Sequence, residues 1–153
     1  MARASTPSDL TDHLGYWLRF VSNHVSLSFA RKVEEAGVTV AEWVLLRQLF
    51  DVDACAPSRL ADRMGMTRGA ISKLADRLLA KSLLLRTADP DDGRAHTLAL
   101  TQKGRVLVPR LAALADRNDA QFFGRTPVAD RAALLRILKE IVKQQGLESV
   151  PVD

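Results

Sequence analysis

Between Met66 and Leu79 the sequence reads MTRGAISKLADRLL, and Thr67, Arg68, Ser72, Lys73 and Arg77 fall at helical spacing within it. They occupy the side left over once Ile71, Leu74 and Leu78 turn inward. Gly69 and Ala70 keep that side low, so another surface can approach closely. Hydroxyl, guanidinium and ammonium groups on one low face suit hydrogen bonding to an anionic partner. On duplex DNA, Arg can grip a guanine edge with two bonds, while hydroxyls reach phosphates or base edges. Free amides at a helix start favour phosphate as well. The same composition also describes an ordinary solvated helix, so the neighbouring residues have to decide.

Downstream, DPDDGR (Asp89–Arg94) gathers three acids, Pro, Gly and Arg in one turn. Pro presets φ, Asp bonds its own backbone and Gly tolerates unusual φ, which together favour a tight reversal. The runs LLLRT and HTLAL on either side read as a β-hairpin with Arg94 at its tip. As a calcium loop the acids fail, because Gly93 falls at the fifth position rather than the sixth and Leu100 fills the twelfth. His13, His24 and His96 show no metal-ligand spacing with acids or Cys55. No metal and no cofactor are expected.

These groups need a frame. PSRLADRMG, from Pro57 to Gly65, reads as a short helix ending in a glycine turn, and Thr67 caps the helix that follows. Leu60, Ala61, Met64 and Met66 can fold the pair together. A short helix, a Gly turn and a second helix make a helix-turn-helix, and the hairpin adds a wing. Upstream, TVAEWVLLRQLF opens with the Thr39–Glu42 capping-box spacing and sends Val40, Trp43, Val44, Leu46 and Phe50 toward a core. Before it, a helix of about thirty residues is expected from a Thr6-Pro7 cap to Gly37. Its apolar face carries Leu10, Leu14, Trp17, Leu18, Val21, Val25 and Phe29. Two further helices close the chain. One runs from Gln102 to about Gln121, interrupted at Pro109; the other runs from a Thr126-Pro127 cap to Gln145, with Leu134, Leu135, Leu138, Ile141 and Val142 on one side.

The expected fold class is therefore mainly α with a small β-hairpin wing (α+β). A winged helix-turn-helix core over 39–101 is flanked by long N- and C-terminal dimerisation helices, 6–37 and 102–146, in a single chain of 153 residues. Those terminal helices carry broad apolar faces, and a single reading helix spans few base pairs, so self-association into a homodimer is expected. Leu10, Leu14, Leu18, Leu134, Leu138 and Ile141 are the candidate interface.

Charge adds direction. Pro57–Arg110 holds eleven Lys/Arg against five Asp/Glu, a balance of +6, whereas the remainder holds eleven against thirteen. A local basic field points to double-stranded DNA before a membrane. No apolar run follows Arg3 in MARASTPSDL, and none anywhere approaches the ~20 residues of a membrane span. Neither a signal peptide nor a membrane partner is expected. The single Cys55 excludes an intrachain disulfide framework and suits a cytoplasmic location. It lies in DVDACAPSRL, a loop with no basic neighbour, and is expected to be inert.

The stretch from Pro57 to Gly104 resembles the core of the MarR family of bacterial transcription regulators. The resemblance rests on Leu60, Ala61, Gly65, Leu78, Lys81, Leu83 and Arg86, then Asp89, Pro90, Asp92, Arg94, Leu98, Leu100, Thr101 and Gly104. The long flanking helices match the family's dimerisation region. The resemblance implies that Arg94 enters the minor groove, where a narrow A·T-rich tract attracts Arg, and that Asp92 steadies its guanidinium. Gly93 stands where the family often has a second Arg. Small phenolic or aromatic acids are the effectors it implies; His13, Tyr16, Trp17, Phe20 and Trp43 are the candidate crevice, although aromatics at helical spacing also describe a core. The expected function is sequence-specific transcriptional regulation, repression before activation. The alternatives are a nonspecific architectural DNA-binding protein and a small helical enzyme. No phosphate loop, G-x-S-x-G or H-E-x-x-H supports the last of these.

Overall fold

Local caps set most of the element boundaries. Thr39 Oγ1 accepts the Glu42 amide at 3.2 Å and Glu42 Oε2 accepts the Thr39 amide at 3.0 Å, opening helix α2 (Val40–Phe50). Pro57 starts α3 (Pro57–Met64), and Gly65 ends it with φ +60°, a left-handed conformation that L side chains rarely adopt. Thr67 Oγ1 then accepts the Ala70 amide at 3.1 Å and opens α4 (Arg68–Ala80). Strands β1 (Leu84–Ala88) and β2 (His96–Leu100) pair antiparallel, Leu84 opposite Leu100 and Ala88 opposite His96. Thr101 caps α5 (Gln102–Phe123). With α1 (Leu14–Glu35) and α6 (Val128–Gln145), the computed structural model describes residues 6–148 as six helices and a two-stranded sheet. The first five residues of the N-terminal segment lie outside the described residues. This is the mainly α fold with a hairpin wing that the spacing predicts.

One core unites the middle of the chain. Leu45, Leu46 and Leu49 of α2 meet Leu60 of α3, Ile71 and Leu78 of α4, Leu98 of β2, and Val108 and Leu111 of α5, all essentially inaccessible to solvent. Burying each such side chain contributes roughly 1.5–3 kcal/mol. The α1–α5 seam is held differently. Lys32 Nζ donates to Ser28 Oγ (2.7 Å), Asn118 Oδ1 (3.0 Å) and Gln121 Oε1 (2.8 Å), while buried Asn118 donates to the Val25 carbonyl. All three ammonium hydrogens are thereby used.

Four expectations need correction. The first helix does not start at Thr6-Pro7. Leu10–Asp12 form a separate 3-10 turn, closed by the Asp9 amide donating to Asp12 Oδ2 at 3.1 Å and by the Trp17 indole donating to the Thr11 carbonyl; extended His13 then divides the turn from α1. Pro109 does not interrupt α5, because it sits on the exposed side of the helix, away from the core. Thr126 does not cap α6; Pro127 holds the cap position with no side-chain bond. Cys55 is not in a free loop. Its amide donates to the Leu98 carbonyl and the Leu98 amide to the Cys55 carbonyl, both at 2.9 Å, so the residue is buried at the sheet's edge.

Helix α6 stands apart, with no buried residue along its length. Leu134, Leu135, Ile137, Leu138, Ile141 and Val142 are exposed on it, as are Leu10, Leu14, Trp17 and Leu18 at the other terminus.

Candidate nucleic-acid interface

Helix α4 divides cleanly. Ile71, Leu74, Ala75 and Leu78 are buried, while Thr67, Arg68, Gly69, Ser72, Lys73, Asp76 and Arg77 are all exposed. The buried stripe holds the helix against α3, so its polar residues share one outward side.

The acids of the hairpin turn build its backbone. Asp89 Oδ1 accepts the Asp91 amide at 2.9 Å, and Asp92 Oδ1 accepts the Arg94 amide at 3.0 Å. Main-chain bonds from Asp89 to Ala95 and from Ala95 to Asp92 close the tip. Asp92 thus holds the main chain of Arg94, correcting the expectation that it grips the guanidinium; the short loop places its oxygen nearest that amide. Arg94 itself is exposed. Gly93 does not use left-handed backbone and has open space around it.

Three contacts that sequence reasoning missed tie this surface to the frame. Arg86 Nη2 of β1 lies 3.0 Å from Asp76 Oδ1 of α4, joining wing to helix. Lys81 Nζ, just past α4, donates to buried Glu42 Oε2 at 2.7 Å and to the Gly37 carbonyl at 3.0 Å. Arg105 of α5 reaches the Phe50 and Val52 carbonyls at 3.4 Å, satisfying acceptors at the end of α2. Lys81 and Arg86 stand in the family pattern quoted above, but their partners are remote in sequence.

The candidate crevice residues are placed on two elements. Tyr16, Trp17, Phe20 and His24 form a chain of ring contacts along α1, from 5.0 to 6.2 Å between centroids, and His13 precedes them, exposed. Trp43 instead packs against the core of the middle lobe. Among the described residues no group of three His, Cys, Asp or Glu could hold a metal ion, and no helix is long and apolar enough to cross a membrane.

A capped helix pair, a glycine turn and an Arg-tipped wing together constitute a winged helix-turn-helix. The model of the MarR family matches residues 38–96, which contain the helix pair, the glycine turn and the wing as far as the start of β2. Residues 38–96 are a MarR-family domain. The chain is similar to a transcriptional regulatory protein assigned to the hcr operon of Thauera aromatica, 29% identical over 138 residues that cover 90% of this chain and 83% of that one. It is also similar to the transcriptional repressor NicR of Pseudomonas putida, 24% identical over 90% of this chain and 87% of that one. Among solved structures, Bordetella bronchiseptica BpsR, whose DNA binding is regulated by 6-hydroxynicotinic acid, superposes with a TM-score of 0.75 at 26% identity, over 89% of this chain and 97% of that one. With this domain the chain is a DNA-binding transcriptional regulator and not an enzyme.

Proposed function

We propose that the chain represses transcription as a homodimer on a pseudo-palindromic operator and is released by a small aromatic acid. The observation that carries this reading is the uncovered side of α4 beside the exposed Arg94. Thr67, Arg68, Gly69, Ser72, Lys73 and Arg77 enter the major groove, with Arg68 reading a base edge and the rest setting register on phosphates. Arg94 takes the adjacent minor groove while Asp92 keeps the wing tip in shape. Residues 39–101 form the DNA-binding lobe, and 6–37 with 102–146 form the dimerisation region.

The dimer reading is supported by the apolar terminal helices. Leu10, Leu14, Leu18, Leu134, Leu138 and Ile141 stay between 38% and 81% exposed in the single chain, a continuous liability for a lone protein in water. A dimer brings two reading helices to half-sites about one helical turn apart. Repression follows because a dimer seated on a promoter blocks polymerase without further contacts. The effector reading is supported by the aromatic ridge of His13, Tyr16, Trp17 and Phe20, with Trp43 on the adjoining lobe, and by the aromatic acid that regulates BpsR. Such a ligand acts only as far as it binds the released and DNA-bound arrangements differently.

The test is a retardation assay on the intergenic DNA beside the protein's own gene, with 6-hydroxynicotinate and benzoate added in turn. Sequence-selective retardation reversed by one of them is expected. Equal retardation of unrelated duplexes would instead favour the architectural reading.

A further inference from the structure

The main chain between α4 and β1 is bonded on both sides. The amides of Lys81, Ser82 and Leu83 donate back to the carbonyls of Arg77, Leu79 and Leu78, closing α4. The carbonyls of the same three residues accept from the start of α5. Lys103 Nζ donates to Lys81 at 2.9 Å, Thr101 Oγ1 to Ser82 at 2.7 Å and the Thr101 amide to Leu83 at 3.1 Å. Thr101 Oγ1 also accepts the Gly104 amide at 3.0 Å, so one oxygen caps α5 and holds the end of α4. Lys81 Nζ carries the link on to Glu42 and the Gly37 carbonyl.

Ser82 stands at the centre of this link. Its φ is +59°, and among the described residues no other residue except glycine has a positive φ. Helices α1, α3 and α6 close through Gly37, Gly65 and Gly146, at φ between +60° and +89°. Helix α4 closes through a residue with a Cβ. For glycine the left-handed region is broad, whereas for an L residue it is a small, steep-sided well. Such backbone costs free energy and persists only where its surroundings over-determine it. The donors of Thr101 and Lys103 supply that constraint. The Ser82 side chain is exposed, so the residue contributes backbone shape rather than packing.

We infer that Ser82 and Thr101 form a stiff joint that sets the direction of α4 against α5, and that both are positioning residues for operator recognition. The inference rests on the reading that α4 enters the major groove. The buried stripe of α4 presses on the core, but apolar attraction is non-directional and lets a helix tilt slightly. Bonded carbonyls at its end do not. Thr67 lies about 20 Å along the axis from Ser82, so a tilt of about 3° at the joint moves the far end by about 1 Å. A base contact needs alignment within about 0.5 Å.

The experiment separates stiffness from stability. Ser82→Gly keeps every main-chain bond but widens the well, and relief of strain offsets the entropy that glycine adds to the unfolded chain. Its urea midpoint is expected to stay close to wild type. Its discrimination between the retarded operator and a mutated one is expected to fall about fivefold, the low end of what one bidentate base contact supplies. Ser82→Asn retains a Cβ, tolerates left-handed backbone and is expected to discriminate like the wild type. Thr101→Val loses both bonds of the hydroxyl, and with them discrimination and stability; Thr101→Ser is expected to recover both. Residual dipolar couplings of the DNA-free chain read the joint directly, and in Ser82→Gly those of α4 are expected to average relative to those of α5. Unchanged couplings or wild-type discrimination in Ser82→Gly overturns the inference, as does an equal loss in Ser82→Asn. If the wild type selects no duplex, the operator reading fails by itself and the couplings still decide the joint.

Discussion

Arg86 Nη2 on β1 lies 3.0 Å from Asp76 Oδ1 on α4, so wing and α4 are clasped side chain to side chain. Both partners are substantially exposed, so the bridge contributes only about 0.2–1 kcal/mol to folding. Its consequence is geometric. Asp76→Asn is expected to leave the urea midpoint almost unchanged yet lower discrimination between operator and mutated operator in an anisotropy titration. The exchange of charges, Asp76→Arg with Arg86→Asp, is expected to restore part of it. Wild-type discrimination in Asp76→Asn would show that the clasp positions nothing.

The Lys81–Glu42 pair behaves oppositely. Glu42 is 1% exposed, and its Oε1 has no partner, so the carboxylate depends on Lys81 and the Thr39 amide. Lys81→Met strands a buried charge and is expected to destabilise by about 3 kcal/mol, since breaking one side of such a pair is worth about 3–5 and Lys81 is partly solvated. Adding Glu42→Gln is expected to recover most of the loss. Chemical denaturation of both single variants and the double variant measures it.

Arg68 and Arg94 are expected to fail differently. Arg68→Ala is expected to remove the proposed base contact and relax preference at one operator position, by about 1–3 kcal/mol. Arg94→Ala should weaken binding with a salt slope smaller by about one. Anisotropy titrations across a salt series and a panel of operator mutants separate the two.

Helix α6 is a length of 18 residues with nothing buried in the single chain, and isolated helices of that length are marginal in water. Leu138→Asp is therefore expected to convert the dimer to monomer in light scattering and to lower the far-ultraviolet helical signal together. A monomeric wild-type mass at micromolar concentration would remove the dimer reading.

Two glycines make a paired prediction. A Cβ at Gly104 would run into the Leu83 carbonyl, which cannot retreat because the Thr101 amide is bonded to it. Gly104→Ala is expected to destabilise by about 1–3 kcal/mol. Gly93 has nothing near it, so Gly93→Arg should leave stability unchanged and steepen the salt dependence of DNA binding by about one. Thermal melts and the same salt series report both.

Where the sequence is legible, the interaction is short. Thr39 with Glu42, Gly65, Thr67 with Ala70, and the Asp-rich turn are all settled within a few residues, so their caps and reversals can be read directly. Alternating and helical periodicities likewise show which side of α4 is buried. The first helix and Pro109 are less legible. A carboxylate at Asp12 and an indole at Trp17 divide the N-terminal segment, and the proline falls on the one side of α5 where a missing amide is harmless. Neither choice is visible without knowing which side faces the core.

The order of helices and wing, the family resemblance and the polar side of α4 were all written in the sequence, because periodicity and capping are local. That Glu42 rests on Lys81, that Asp76 meets Arg86 and that Cys55 borders β2 emerged with the folded chain. Those partners come from different elements, and folding brings them within bonding distance through a shared core that no local pattern encodes.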